Sequence, residues 1–91
     1  MNRLEKDRAR IDEIDTQIAA LFEERFTVVQ DVIDYKIENR LPILDSGREA
    51  EIVAKNVKRI ENEDIREYFR QLYEEMLRLS KEYQKEILDA R

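Results

Sequence analysis

The feature that most constrains this chain is an apolar stripe of helical period that runs without interruption through residues 4–37. Leu4, Ile11, Ile18 and Val32 fall seven or fourteen residues apart, and Ile14, Leu21, Val28 and Tyr35 fill the intervening position. Phe22, Val29 and Ile33 widen the stripe. No glycine or proline breaks it before Pro42, which disfavours helix at Leu41. The spacing predicts one helix over about residues 3–38. At 1.5 Å per residue such a helix is roughly 50 Å long, whereas a compact chain of this size has a radius of gyration of about 12 Å. A single copy would leave the stripe in water. An antiparallel homodimer, with the first helices packed along each other, buries both stripes through one symmetric contact. The expectation is an obligate dimer; an elongated coiled-coil rod is the rival, which the broken segment that follows disfavours.

The break is the stretch LPILDSGRE at 41–49, which holds the chain's one proline and one glycine. Ser46 and Glu49 have the spacing of a capping box, so a second helix is expected over about 46–60, with Ile52, Val53, Val57 and Ile60 as its apolar face. Asn62 or Asp64 can cap a third, over about 64–90, and Asp64 with Glu67 repeats the box pattern. One face of that helix carries Ile65, Phe69, Leu72, Met76, Leu79, Tyr83 and Ile87. The expected architecture is a single all-α domain, 1–91, of three helices: long, short, long. Ile, Leu, Val and Phe make up 26 of 91 residues, enough for a core in so charged a chain.

Composition narrows the chemistry. The chain has neither cysteine nor histidine, which removes thiolate nucleophiles, disulfides, and the commonest general base and metal ligand. No cofactor is implied. The formal charge of −5 gives no general attraction to nucleic acid or to an anionic membrane. No run has the length of a membrane span and MNRLEKDRAR lacks the apolar core of a signal peptide, so the expected location is the cytoplasm.

The informative residues are those that break the stripes. Arg25 occupies the heptad position of Ile11, Ile18 and Val32, which points a guanidinium into the seam. An unpartnered buried charge costs several kcal/mol or more. Lys36, eleven residues on, lies about 20° around the helix from Arg25. Either cation alone has a plain explanation, as a register-setting polar residue or a snorkelling side chain. Two on one inward face, with no carboxylate one turn from Arg25 on that face, point to an anion between them. Arg8 lies roughly 25 Å from Arg25 along the axis, and antiparallel pairing would bring Arg8 of the partner subunit beside the Arg25–Lys36 segment. Spacing alone leaves Arg3 and Arg10 as equal candidates. On the third helix Ser80 and Gln84 interrupt a second stripe of Tyr73, Leu77 and Ile87, as interhelical hydrogen-bond partners or as ligand donors. Glu49 is a helix cap, an acceptor near the same place, or both.

Taken together, these residues resemble the all-helical chorismate mutases over nearly the whole chain. The family pattern is an arginine ahead of I-D-x-I-D, then E-R, a lysine, P-I-x-D-x-x-R-E, and a Ser/Gln pair. It is matched by Arg8 before Ile11 to Asp15, by Glu24 and Arg25, by Lys36, by Pro42 to Glu49, and by Ser80 with Gln84. Alignment on Ile11 selects Arg8 among the three arginines. The resemblance implies an intertwined homodimer with two active sites, chorismate as substrate and prephenate as product, on the way to phenylalanine and tyrosine. It implies that Arg25 and Arg8 of the partner subunit hold the two carboxylates. Lys36 and Gln84 would donate to the ether oxygen of the breaking bond. Glu49 would accept from the ring hydroxyl, helped by Arg48 and the backbone at Asp45, and Ser80 would assist at a carboxylate. Two positions depart from the pattern: Arg40 stands where relatives often have glycine, and Gly47 where they have a bulkier residue, at a cost of up to about 1 kcal/mol against alanine.

A residue set without His or Cys suits that reaction. A pericyclic rearrangement is unimolecular and needs no nucleophile, metal or obligatory proton transfer. Bidentate arginines restrict the conformer, and fixed donors at the growing oxygen charge supply about 3–4 kcal/mol each. A millionfold acceleration asks for roughly 8 kcal/mol. An isochorismate pyruvate lyase shares the fold and part of the cation set, but the Asp45, Arg48, Glu49 run favours the mutase. A noncatalytic helical dimerisation module explains the stripes but not the converging polar residues.

Overall fold

Asn2 starts the first helix: its side-chain oxygen accepts the amide of Glu5 at 2.9 Å, and α1 then runs as one rod over Arg3–Glu38. The computed structural model describes residues 2–43 and 46–91. At its far end α1 closes in a Schellman arrangement. The Leu41 amide bonds to the Lys36 carbonyl at 2.8 Å and the Arg40 amide to that of Ile37 at 3.3 Å. This closure requires a left-handed residue, and Arg40 supplies it with φ 54°. The departure from glycine noted in the sequence is thus accommodated at the cost of a strained arginine.

The second helix, α2, spans Ser46–Val57, three residues shorter than the periodicity predicts. Its last turn tightens, with the amides of Arg59 and Ile60 reaching back three residues to the carbonyls of Asn56 and Val57. The Ile60 carbonyl is then taken by Arg66 Nε at 2.7 Å, which bends the chain toward the next element. Asn62, rather than Asp64, is the cap there: its side chain accepts the Asp64 amide at 3.0 Å. A 3-10 turn over Glu63–Ile65 leads into α3, Arg66–Asp89. Gly47 sits in the first turn of α2 without a positive φ. The described residues contain helices and no strand.

Side-chain pairs fix the directions. Arg25 lies over Tyr73, Gln30 meets Tyr83 and Asp34 pairs with Arg91, so the second half of α1 runs parallel to α3. Asn56 meets Tyr73 and Glu49 meets Lys81, so α2 runs antiparallel to α3. The three helices form an up-down-up layer whose interior is small: Ile33, Val57 and Tyr73 are its buried apolar residues. Its contact with α1 is made on the side of the residues that widened the stripe, with Ile33 fully enclosed, Phe22 stacked on Phe26 and Phe26 meeting Tyr83 at a tilt of 40°.

The main stripe of α1 is left open. Leu4, Ile11, Ile14, Ile18, Leu21, Val28, Val32 and Tyr35 are 37–63% exposed, and Leu72 on α3 is 66% exposed. The first half of α1 projects beyond the other helices, and the chain measures 56 × 26 × 15 Å with a radius of gyration of 16.7 Å. Its accessible surface is 7670 Å², against about 5,600 Å² for a compact protein of this mass. Among the described residues, no helix is long and apolar enough to cross a membrane.

Candidate functional site

The inward face of α3 is the second of its two stripes. Tyr73, Ser80 and Gln84 recur at helical spacing and are 5–8% exposed, facing α1 across Ile33. Two of these three buried residues are polar ones that break an apolar line, and a polar group buried without a partner is destabilising by about 1–3 kcal/mol. The Gln84 side-chain oxygen is such a group: it is buried and accepts no hydrogen bond among the described residues.

Arg25 enters the same space from α1. Its guanidinium carbon lies 5.9 Å from the centre of the Tyr73 ring, within the range of a cation–π contact. Its Nη1 is buried and donates to nothing among the described residues. The Tyr73 hydroxyl accepts a hydrogen bond from Asn56 Nδ2 at 3.0 Å, so one contact chain crosses from α1 through α3 to α2.

Lys36 is half-buried at the other end. Its ammonium donates to the Ile43 carbonyl at 3.0 Å, and it lines a hollow with Ile33, Ile37 and Leu88. Tyr83 meets Gln30, so the parallel register sets Gln84 about one and a half turns short of Lys36 along α1, roughly 7 Å of rise, and Lys36 adjoins Leu88 instead. Ser80 lies between Tyr73 and Gln84 on α3. Neither cation pairs with a carboxylate among the described residues. Both are held by neutral groups, a ring face and a peptide oxygen, which leave most of their donors free.

From α2, the Glu49 carboxylate reaches across to α3, where its Oε2 accepts from Lys81 Nζ at 3.2 Å in a partly buried ion pair. Lys81 did not emerge from sequence reasoning. The available signal was its place between Ser80 and Gln84, but a lysine beside a stripe reads as a solvated flank. Tyr73 was visible only as an apolar position; nothing in the sequence paired it with Arg25. Arg48 is exposed in the first turn of α2. The expectations for Asp45 and for the Ser46 side chain fall outside the described residues.

Arg8 stands apart. It is exposed on the projecting half of α1, seventeen residues and roughly 25 Å of helix from Arg25. One chain therefore brings Arg25, Lys36, Ser80, Gln84 and Glu49 to the three-helix layer and leaves Arg8 outside it. The outer face of α3 is ordinary solvated surface, where Arg78 bridges Glu75 and Glu82. The hydrogen bond from Arg78 holds the Glu75 carboxyl below the usual carboxylate range.

The arrangement offers two cations, two buried neutral polar side chains and one carboxylate around a small interior, in a chain that has neither thiol nor imidazole. That set can bind and orient a small polyanion and stabilise a negative charge that grows on it. In comparison with known proteins, no curated sequence matches the chain. A family model does: the one described as chorismate mutase type II matches residues 7–85.

Proposed function

The chain belongs to the chorismate mutase type II family, and from that premise we propose that it converts chorismate to prephenate, in the synthesis of phenylalanine and tyrosine. The observation that carries the reading is the pair of inward cations, Arg25 and Lys36, each held by a neutral partner and neither neutralised by a carboxylate of the described chain. A dianionic substrate supplies the missing charge. Arg25 binds one carboxylate through its N–H edge, Ser80 assists there, and Arg8 of the partner subunit binds the other. Lys36 and Gln84 donate to the ether oxygen as its bond to carbon breaks, and Glu49 accepts from the ring hydroxyl with Arg48 and the Asp45 backbone beside it. The side-chain oxygen of Gln84 lies buried and accepts from no donor among the described residues, and a bound ligand or a second chain completes its surroundings.

No covalent step is involved. Holding the two arms of the substrate together removes conformational freedom from the barrier, and donors fixed before the reaction meet the oxygen charge without reorganising. The reading includes a homodimer. The exposed stripe of α1 and the roughly 2,000 Å² of surface in excess of a compact chain support it, because that area per chain is in the range of obligate interfaces.

The test is consumption of chorismate by the purified protein, followed spectrophotometrically with product identification, and a parallel reaction on isochorismate. Prephenate from chorismate is the expected result. Salicylate and pyruvate from isochorismate, without prephenate, would assign the lyase reaction instead, and no turnover of either substrate would leave the helical dimer as an interaction module.

A further inference from the structure

We propose that Tyr73 is a positioning residue for Arg25, holding the guanidinium by its face so that its N–H edge stays open for a substrate carboxylate. The inference rests on the proposed role of Arg25 as a carboxylate ligand. A half-buried guanidinium needs a partner, and the usual one is a carboxylate that takes the N–H fork in a bidentate pair. Such a partner would compete with the substrate for the same donors. An aromatic face attracts the cation without consuming a hydrogen bond.

The geometry has this form. The Arg25 guanidinium carbon is 5.9 Å from the Tyr73 ring centre, Nη1 is buried with no acceptor, and no carboxylate of the described residues pairs with it. The ring itself is fixed from two sides. Asn56 Nδ2 donates to its hydroxyl at 3.0 Å, and the same nitrogen bonds the Ile52 carbonyl at 2.9 Å, tying the ring to α2. Phe69, one turn earlier on α3, packs its ring 5.8 Å away at a tilt of 31°. Tyr73 is 7% exposed, so it has little room to turn. A rigid platform beneath a long side chain lowers the ordering cost when the ligand arrives.

The experiment is steady-state kinetics on chorismate with the original protein, its Tyr73→Phe and Tyr73→Leu variants, Arg25→Ala, and the double variant Arg25→Ala/Tyr73→Leu, with helicity and thermal unfolding measured on each. The carboxylate contact is present in both the bound substrate and the transition state, so its loss acts mainly on KM. Tyr73→Leu is expected to raise KM about tenfold with kcat changed less than threefold. Tyr73→Phe, which keeps the ring face, is expected to stay within twofold of the original KM even where its melting temperature falls. The double variant is expected to be no worse than Arg25→Ala, since the platform matters only through the arginine.

An unchanged KM in Tyr73→Leu, an equal loss in Tyr73→Phe, or penalties that multiply in the double variant would each overturn the proposal. Should Tyr73→Leu fail to fold, a Tyr73→Phe protein carrying ring-fluorinated phenylalanines at that position keeps the shape and weakens the face; KM rising with fluorination supports the platform and a flat series overturns it. An original protein that turns over no chorismate defeats the proposed function and this inference with it. Activity with an indifferent Tyr73 defeats the inference alone.

Discussion

At the scale of single residues, the two inward cations of the candidate site are held by neutral groups and paired with no carboxylate among the described residues. Arg25 rests on a ring and Lys36 on a peptide oxygen, and the Glu49 charge is balanced by Lys81 from the next helix. Under the proposed reaction, Lys36→Ala is expected to lower kcat by about 10²–10³, the range for removing one preorganised donor, and Arg25→Ala to lower kcat/KM mainly through a higher KM. Their circular dichroism should match the original protein, and a folded Arg25→Ala dimer with near-normal kcat/KM would contradict the anion-clamp reading. Gln84 gives a prediction in pH. Its amide donates at any pH, whereas the carboxyl in Gln84→Glu donates only when protonated. The variant should therefore lose activity as pH rises through the carboxyl pKa, while the original protein keeps a broad profile. Equal alkaline activity of the two would remove Gln84 from the ether oxygen. The residues legible in the sequence, Arg25, Lys36, Ser80 and Gln84, share one property: each breaks an apolar period. Lys81 and Tyr73 break none, one standing in a charged flank and the other continuing a stripe, so their partners became visible only when α1, α2 and α3 were placed side by side.

At the scale of elements, each helix boundary has a local cause, and the causes explain which boundaries could be read in advance. The end of α1 was legible because Pro42 disfavours helix at the residue before it. The end of α2 was not, because Ile60 continues the apolar period while its carbonyl is claimed by Arg66 from the following element, a contact no periodicity reveals. The start of α3 is displaced for a similar reason, with Asn62 capping a 3-10 turn before the α-helix begins. Arg40 carries the clearest prediction at this scale. It occupies the left-handed position of the α1 closure at φ 54°, where a side chain is disfavoured and glycine is not. Arg40→Gly is expected to stabilise the protein by roughly 0.5–1 kcal/mol, the relief at the left-handed position less the larger chain entropy of glycine. Chemical denaturation at fixed protein concentration would read this as a higher midpoint with an unchanged slope; a lower midpoint would mean that the arginine makes a compensating contact.

At the scale of the whole molecule, the single chain is an incomplete solid. Its interior holds few apolar side chains, and its longest apolar stripe faces water along a rod of 36 residues. Folding of the proposed dimer is therefore inseparable from association, and the thermal midpoint should rise with protein concentration. Leu21→Glu, which puts a charge on the open stripe, is expected to lower helicity and abolish the dimer in sedimentation. A concentration-independent midpoint, with a monomeric and fully helical original protein, would contradict this. The neutral holders of Arg25 and Lys36 have one more consequence, in how the molecule answers salt. Each chain carries a formal −5, so at a distance it repels a dianion, yet under the proposed reaction Arg25 and Lys36, paired with no carboxylate among the described residues, attract it at contact. Dissolved ions screen charges separated by more than about 10 Å at 0.1 M and affect buried ones much less. Moderate salt should thus weaken the repulsion on approach more than the attraction in the pocket: a protein that captures anions from behind an acidic surface is one that added salt helps rather than hinders.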